Sequence, residues 1–68
     1  MTVGNNLRLF RLEAGLTQEE LARAIGVTRQ TVIAMEKGNY VPSVLLALMS
    51  AKLFSRSVEE LFYVVEAR

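Results

Sequence analysis

Residues 17–38 read TQEELARAIGVTRQTVIAMEKG and hold two helix starts only eleven positions apart, with a glycine between them. The first is Thr17-Gln18-Glu19-Glu20, a hydroxyl residue followed three positions later by a carboxylate. At that spacing each side chain caps the other residue's backbone N–H. The second is Thr28, directly ahead of Arg29-Gln30-Thr31-Val32. Gly26 supplies the positive φ with which the chain leaves one helix and enters the next. Ala22, one turn earlier, is small enough for the two helices to approach. Val27 plugs the turn, while Val32 and Met35 anchor the later helix to a core. The pattern predicts helices over about 18–25 and 29–37 joined by a short rigid turn, a helix-turn-helix across residues 18–37. Two capped helices around a glycine also describe an αα-hairpin in an ordinary bundle.

The face of the later helix that points away from the core bears on this choice. With Val32, Met35 and part of Glu36 inward, the outward set is Thr28, Arg29, Gln30, Ile33, Ala34 and Lys37. A merely solvated face would carry Glu and Lys, and Ile33 and Ala34 are odd choices for it. They suit thymine methyl groups in a major groove, where Arg29 matches guanine and Gln30 adenine. Thr28, Arg29, Gln30, Ile33 and Ala34 are therefore the candidate base contacts. Arg23 and Lys37 suit phosphate neutralisation or a solvated surface, and Asn39 and Tyr40 suit phosphate contact, with Tyr40 equally placed to cover the core. All four are candidate DNA-backbone contacts.

Outward from this core motif the chain reads as further short helices. Asn5 or Asn6 can cap a first helix running to about Ala14, with Leu7, Phe10 and Ala14 on one face, closed by Gly15. Gly38 ends the third helix, and Asn39-Tyr40-Val41-Pro42 forms a loop. Ser43 caps a fourth, nearly all-apolar helix over about 44–54. Ser57-Val58-Glu59-Glu60 repeats the capping box at a fifth. Thr2-Val3 and Tyr63-Val64-Val65 are β-branched and aromatic, more strand than helix. They are expected to pair as a small antiparallel sheet, with 63–68 as a strand-like tail.

The stretch LTQEELARAIGVTRQTVIAMEKGNYVPS, residues 16–43, resembles the XRE/Cro-like family of phage-repressor-type DNA-binding domains. Gln18, Leu21-Ala22, Gly26-Val27, Arg29-Gln30-Thr31, Glu36 and Gly38 carry the resemblance jointly, and it extends from about Leu7 to Phe62. It implies an all-α, five-helix fold and a small stand-alone transcriptional regulator binding double-stranded DNA through the major groove. It also places Gln18, Thr28 and Thr31 near the DNA backbone. In family members an arginine and a glutamate matching Arg11 and Glu36 form a partly buried ion pair beneath the recognition helix. Members usually bind as two-fold dimers. The chain departs from the family at Leu12, Leu45 and Met49, apolar where relatives carry polar residues. Ser50 is polar where an aliphatic residue is usual, which suggests a slightly rotated fourth helix. Ser55 replaces the usual Gly or Asn, putting the local C-cap in doubt.

Composition bounds the rest. The chain has 68 residues and reads as one small domain, 1–68, which buries only about 60% of the surface its unfolded form exposes. Without cysteine or histidine, disulfides and the usual zinc ligand sets are unavailable. An apolar fraction of 51% then points to a homodimer as the source of further burial. Candidate dimer residues are Leu45, Met49, Val58, Leu61, Phe62, Tyr63 and Val64. The net charge of +1 is uneven, with +3 over residues 1–56 and −2 over residues 57–68. No apolar run approaches the ~20 residues that span a bilayer, and no signal region opens the chain. A soluble, cytoplasmic protein is expected. With no His, Cys or Asp, and no phosphate-binding glycine loop, neither catalysis nor a cofactor, metal or small-molecule ligand is implied. Three functions stay open: a repressor occluding a promoter, an antitoxin-like or phage-control DNA binder with a protein partner, and a transcription bridging or protein-interaction module.

Overall fold

Each hydroxyl residue expected to start a helix does so in the computed structural model, which describes residues 1–66. The order is β1 (Thr2–Asn5), α1 (Leu7–Glu13), α2 (Gln18–Ile25), α3 (Arg29–Glu36), α4 (Val44–Phe54), α5 (Val58–Leu61) and β2 (Phe62–Val65). Thr17, Thr28, Ser43 and Ser57 each accept a hydrogen bond from the N–H three residues on. At Thr17 and Ser57 the box is reciprocal, with Glu20 and Glu60 accepting from the capping residue's own N–H at 2.8 Å. The last two residues of the expected tail, 67–68, lie outside the described residues.

The N–H from Thr17, first of all, holds the Glu20 carboxyl below the ordinary glutamate value; the N–H from Ser57 does the same for Glu60. A depressed folded value means that the stabilisation is complete above the ordinary glutamate range. It is lost as pH falls through the lowered values. Melting temperature should therefore drop on acidification below about pH 5. In a Glu20→Gln/Glu60→Gln double variant, which keeps the accepting oxygens but cannot titrate, the drop should be shallower. Circular dichroism melts across that window check this, and equal slopes for the two proteins would exclude it.

Two side-chain clusters make the interior. Leu7, Leu21, Ala22, Ile25, Val32, Met35 and Leu46 form the first, beneath the helix-turn-helix. Ala47, Ala51, Leu61 and Phe62 form the second, with Val3, Phe10 and Val58 packed on it, and Phe54 touches both. Two sequence expectations change here. Leu61 and Phe62, candidates for a dimer contact, are interior in the single chain, because α5 lasts one turn before the strand carries Phe62 back under α4. Ala14 is exposed at the end of α1; the residues of α1 that go fully inside are Leu7 and Arg11.

Ser50 is fully buried, so α4 is not turned away at this position. Its hydroxyl donates to the Leu46 carbonyl at 2.9 Å, the i−4 bond by which serine is satisfied inside a helix. Ser55 adopts the left-handed conformation, φ 53°, that glycine usually supplies, at a cost of about 1–2 kcal/mol. The cap still forms, with the Arg56 N–H donating to the Ala51 carbonyl at 3.0 Å. β1 and β2 pair antiparallel, Thr2 opposite Val65 through Asn5 opposite Phe62. The Asn6 N–H continues the ladder to the Leu61 carbonyl at 2.8 Å. Val3 and Phe62 tie this short two-stranded sheet to the second cluster, since two strands alone would be marginal in water.

Candidate nucleic-acid interface

α2 and α3 meet at Gly26, whose φ of 74° turns the chain while the Val27 N–H returns to the Ala22 carbonyl at 2.9 Å. A β-carbon at Gly26 would meet no atom within 4 Å, so the left-handed backbone, rather than space, demands glycine there. Val32 and Met35, both completely buried, fasten the inner face of α3 to the first cluster.

The C-terminal turn of α3 is clamped from three sides. Arg11 of α1 donates through Nε to Glu36 Oε2 at 2.6 Å and through Nη2 to Oε1 at 3.3 Å. The two side chains retain only 8% and 5% of their accessible surface. Arg11 also donates to the Leu16 carbonyl at 2.8 Å, and Gln18 Nε2 donates to Glu36 Oε1 at 3.2 Å. Asn5, at the end of β1, donates to the Met35 carbonyl at 2.7 Å while its oxygen accepts from the Leu7 N–H at 3.0 Å. This asparagine, read from sequence only as a helix cap, thus links the start of α1 to the end of α3. Every buried side-chain polar atom among the described residues has a partner.

On the opposite face of α3, Thr28, Arg29, Gln30 and Lys37 are exposed, whereas Thr31, Ile33 and Ala34 are half-buried. Arg29 and Gln30 make no side-chain hydrogen bond among the described residues. Thr28 and Thr31 are occupied with each other, the Thr31 N–H donating to Thr28 Oγ1 at 3.2 Å and the hydroxyls 3.1 Å apart. Arg23 lies 3.9 Å from Glu19 on the exposed side of α2. Asn39 is exposed, its N–H held by the Ala34 carbonyl. Tyr40 lines an open cleft of about 410 Å³ together with Val27, Leu45 and Met49. Gln18, expected near the DNA backbone, spends one N–H on Glu36.

The exposed apolar surface is concentrated elsewhere. Leu45 and Met49 lie on the outside of α4, and Val44, Leu48 and Leu53 extend that face. Tyr63 and Val64 are exposed on β2, and Val58 is half-buried against the second cluster. α4 is nearly all apolar, yet one side covers the core and the other, carrying Leu45 and Met49, is open. No helix is long and apolar enough to cross a membrane among the described residues.

Three helices around a capped, glycine-turned pair, with α3 projecting and clamped from beneath, define a helix-turn-helix fold. A family model described as helix-turn-helix matches residues 7–61, and the chain belongs to that family, the XRE/Cro-like type. The uncharacterized HTH-type transcriptional regulator YgzD of Bacillus subtilis (strain 168) is 50% identical over 62 residues, 91% of this chain and 94% of the relative. The cryptic phage CTXphi transcriptional repressor RstR of Vibrio cholerae is 37% identical over 57 residues, 84% of this chain and 51% of the relative. A crystal structure from Bacteroides fragilis superimposes with a TM-score of 0.81 over 91% of this chain and 100% of that one. At 19% identity the likeness speaks for the fold alone.

Proposed function

We propose that this protein is a sequence-specific double-stranded DNA-binding transcriptional regulator, a repressor that binds a two-fold symmetric operator as a homodimer. One observation carries the reading. Arg29 and Gln30 stand exposed and unengaged on a helix whose other side is fixed by packing and by the buried Arg11–Glu36 pair. Those are the side chains whose paired donors and acceptors match guanine and adenine edges in the major groove. Ile33 and Ala34 add apolar contact for thymine methyls, and Thr28 borders the bases. Gln18, Arg23, Thr31, Lys37, Asn39 and Tyr40 serve the sugar–phosphate backbone, which sets register without reading sequence. The names of YgzD and RstR support the regulatory role, and RstR the repressor role in particular.

A single recognition helix reads only a few base pairs, so two copies about 34 Å apart on successive major grooves supply the specificity. The open side of α4, from Leu45 to Met49 and Leu48, is the surface for that pairing. Repression follows by occlusion of the promoter, with no catalysis and no cofactor, and the protein works in the cytoplasm.

Selection of bound sequences from a random duplex pool tests the reading and yields the operator. On that operator, Arg29→Ala or Gln30→Ala should relax preference at one or two base pairs per half-site, costing about 1–3 kcal/mol each. Lys37→Ala should weaken all sequences nearly equally and flatten the dependence on salt by about one unit per half-site. A uniform loss with unchanged preference in the Arg29 and Gln30 variants would remove them from base readout.

A further inference from the structure

Seven side chains among residues 1–66 carry a positive charge, and the fold sorts them. Arg11 is consumed by Glu36, Arg23 lies beside Glu19, and Arg56 is shared between Glu13, Glu60 and the face of the Phe10 ring. Arg8, Arg29, Lys37 and Lys52 have no carboxylate partner among the described residues. Lys52 occupies the last turn of α4, where the helix dipole favours a cation. Arg8 has no such reason for its place. It sits in the first turn of α1, where the dipole disfavours positive charge and no acidic residue offsets it.

Its surroundings supply a reason. Arg8 and Lys37, which come from α1 and the end of α3, border one cleft of about 290 Å³ together with Gln18, Ile33 and Glu36. Glu36 would ordinarily draw both cations and repel an anion. Here its Oε2 accepts from Arg11, and its Oε1 accepts from both Arg11 and Gln18. The carboxylate is therefore neutralised and enclosed, while the two cations at the rim stay free. Ile33 continues the outward face of α3, so the cleft is contiguous with the surface that carries Arg29 and Gln30.

We infer that Arg8 contacts a backbone phosphate of the bound duplex, opposite Lys37 across this cleft, and so sets affinity without reading bases. The inference rests on the DNA-binding reading above. Arg8 lies on α1, ahead of the helix-turn-helix, where no residue is otherwise assigned a DNA contact.

The test compares wild type with Arg8→Ala, Arg8→Lys and Lys52→Ala, titrating each against the selected operator duplex and a scrambled duplex at several salt concentrations. Each neutralised phosphate contributes a slope of about 0.9 in log affinity against log salt. Arg8→Ala should flatten the slope by about that much per half-site. The corresponding loss is about eightfold per half-site at about 0.1 M salt, on both duplexes alike. Arg8→Lys should recover most of the slope, and Lys52→Ala should match wild type. Because Arg8 is exposed, circular dichroism melts should show Arg8→Ala folded as wild type. Should Arg8→Ala bind like Lys52→Ala, or alter base preference, the assignment of Arg8 fails while the DNA-binding reading stands. Failure of wild type to bind any duplex overturns both.

Discussion

Removing either partner of the Arg11–Glu36 pair should destabilise the fold by about 3–5 kcal/mol, because the remaining charge stays buried without its counter-ion. For a chain of this size the whole stability is of the order of 3–10 kcal/mol, so Arg11→Ala or Glu36→Ala should remove a large part of it. The geometry explains why water cannot easily rescue the survivor. Arg11 is enclosed between α1, the Leu16 carbonyl and Glu36, and Glu36 lies beneath α3 with Gln18 on its other oxygen. Without Glu36 three guanidinium donor groups lose two of their bonds and retain the Leu16 carbonyl. Without Arg11 the carboxylate keeps only the amide of Gln18. Urea unfolding of both single variants and the double variant measures the effect. The expected coupling energy lies in the range of about 0.5–3 kcal/mol found for contacting residues, and a value near zero would dissolve the pair as an energetic unit. Operator preference should be the same in whatever fraction remains folded, since both side chains are engaged beneath α3 and neither is assigned a base contact.

Introducing charge on the open side of α4 should separate the proposed dimer. Leu45→Glu together with Leu48→Glu places two carboxylates on each copy where apolar side chains now face outward, 68% and 54% exposed. In the proposed assembly these would be buried against their symmetry mates, unpaired and repelling. In the isolated chain they are solvated, so the variant should fold. Loss of the second binding module removes the effective-concentration gain, weakening operator binding by about 10²–10⁴-fold. Binding to a single half-site, and its base preference, should persist. Sedimentation velocity separates monomer from dimer directly. A wild-type protein that is monomeric at tens of micromolar, or a variant with undiminished operator affinity, would remove α4 from the assembly.

Both results depend on features of unequal visibility in the chain. Helix starts at Thr17, Thr28, Ser43 and Ser57 are legible because a cap is a contact between residues three apart. It needs nothing from the rest of the molecule. Gly26 is legible for the same reason, since a left-handed turn is a property of its own backbone. The two terminal strands could be matched because they are the β-branched segments outside the helices, and the sheet runs one to two residues further than Thr2-Val3 and Tyr63-Val65 to include Gly4, Asn5 and Phe62.

Tertiary contacts decided the rest. Leu61 and Phe62 looked like surplus apolar surface, yet a one-turn helix followed at once by a strand folds both beneath α4. Ser50 seemed misplaced in an apolar helix until its hydroxyl found the carbonyl of Leu46. Asn5 became a brace for α3 through the Met35 carbonyl, thirty positions away. Arg8 and Lys37 came to share one cleft across a separation of twenty-nine positions. Sequence by itself determined where helices begin and turn, because those interactions close within a few residues. Which side chains face one another across the fold, and which charges remain free for DNA, depended on how the helices pack, and no local pattern encodes that.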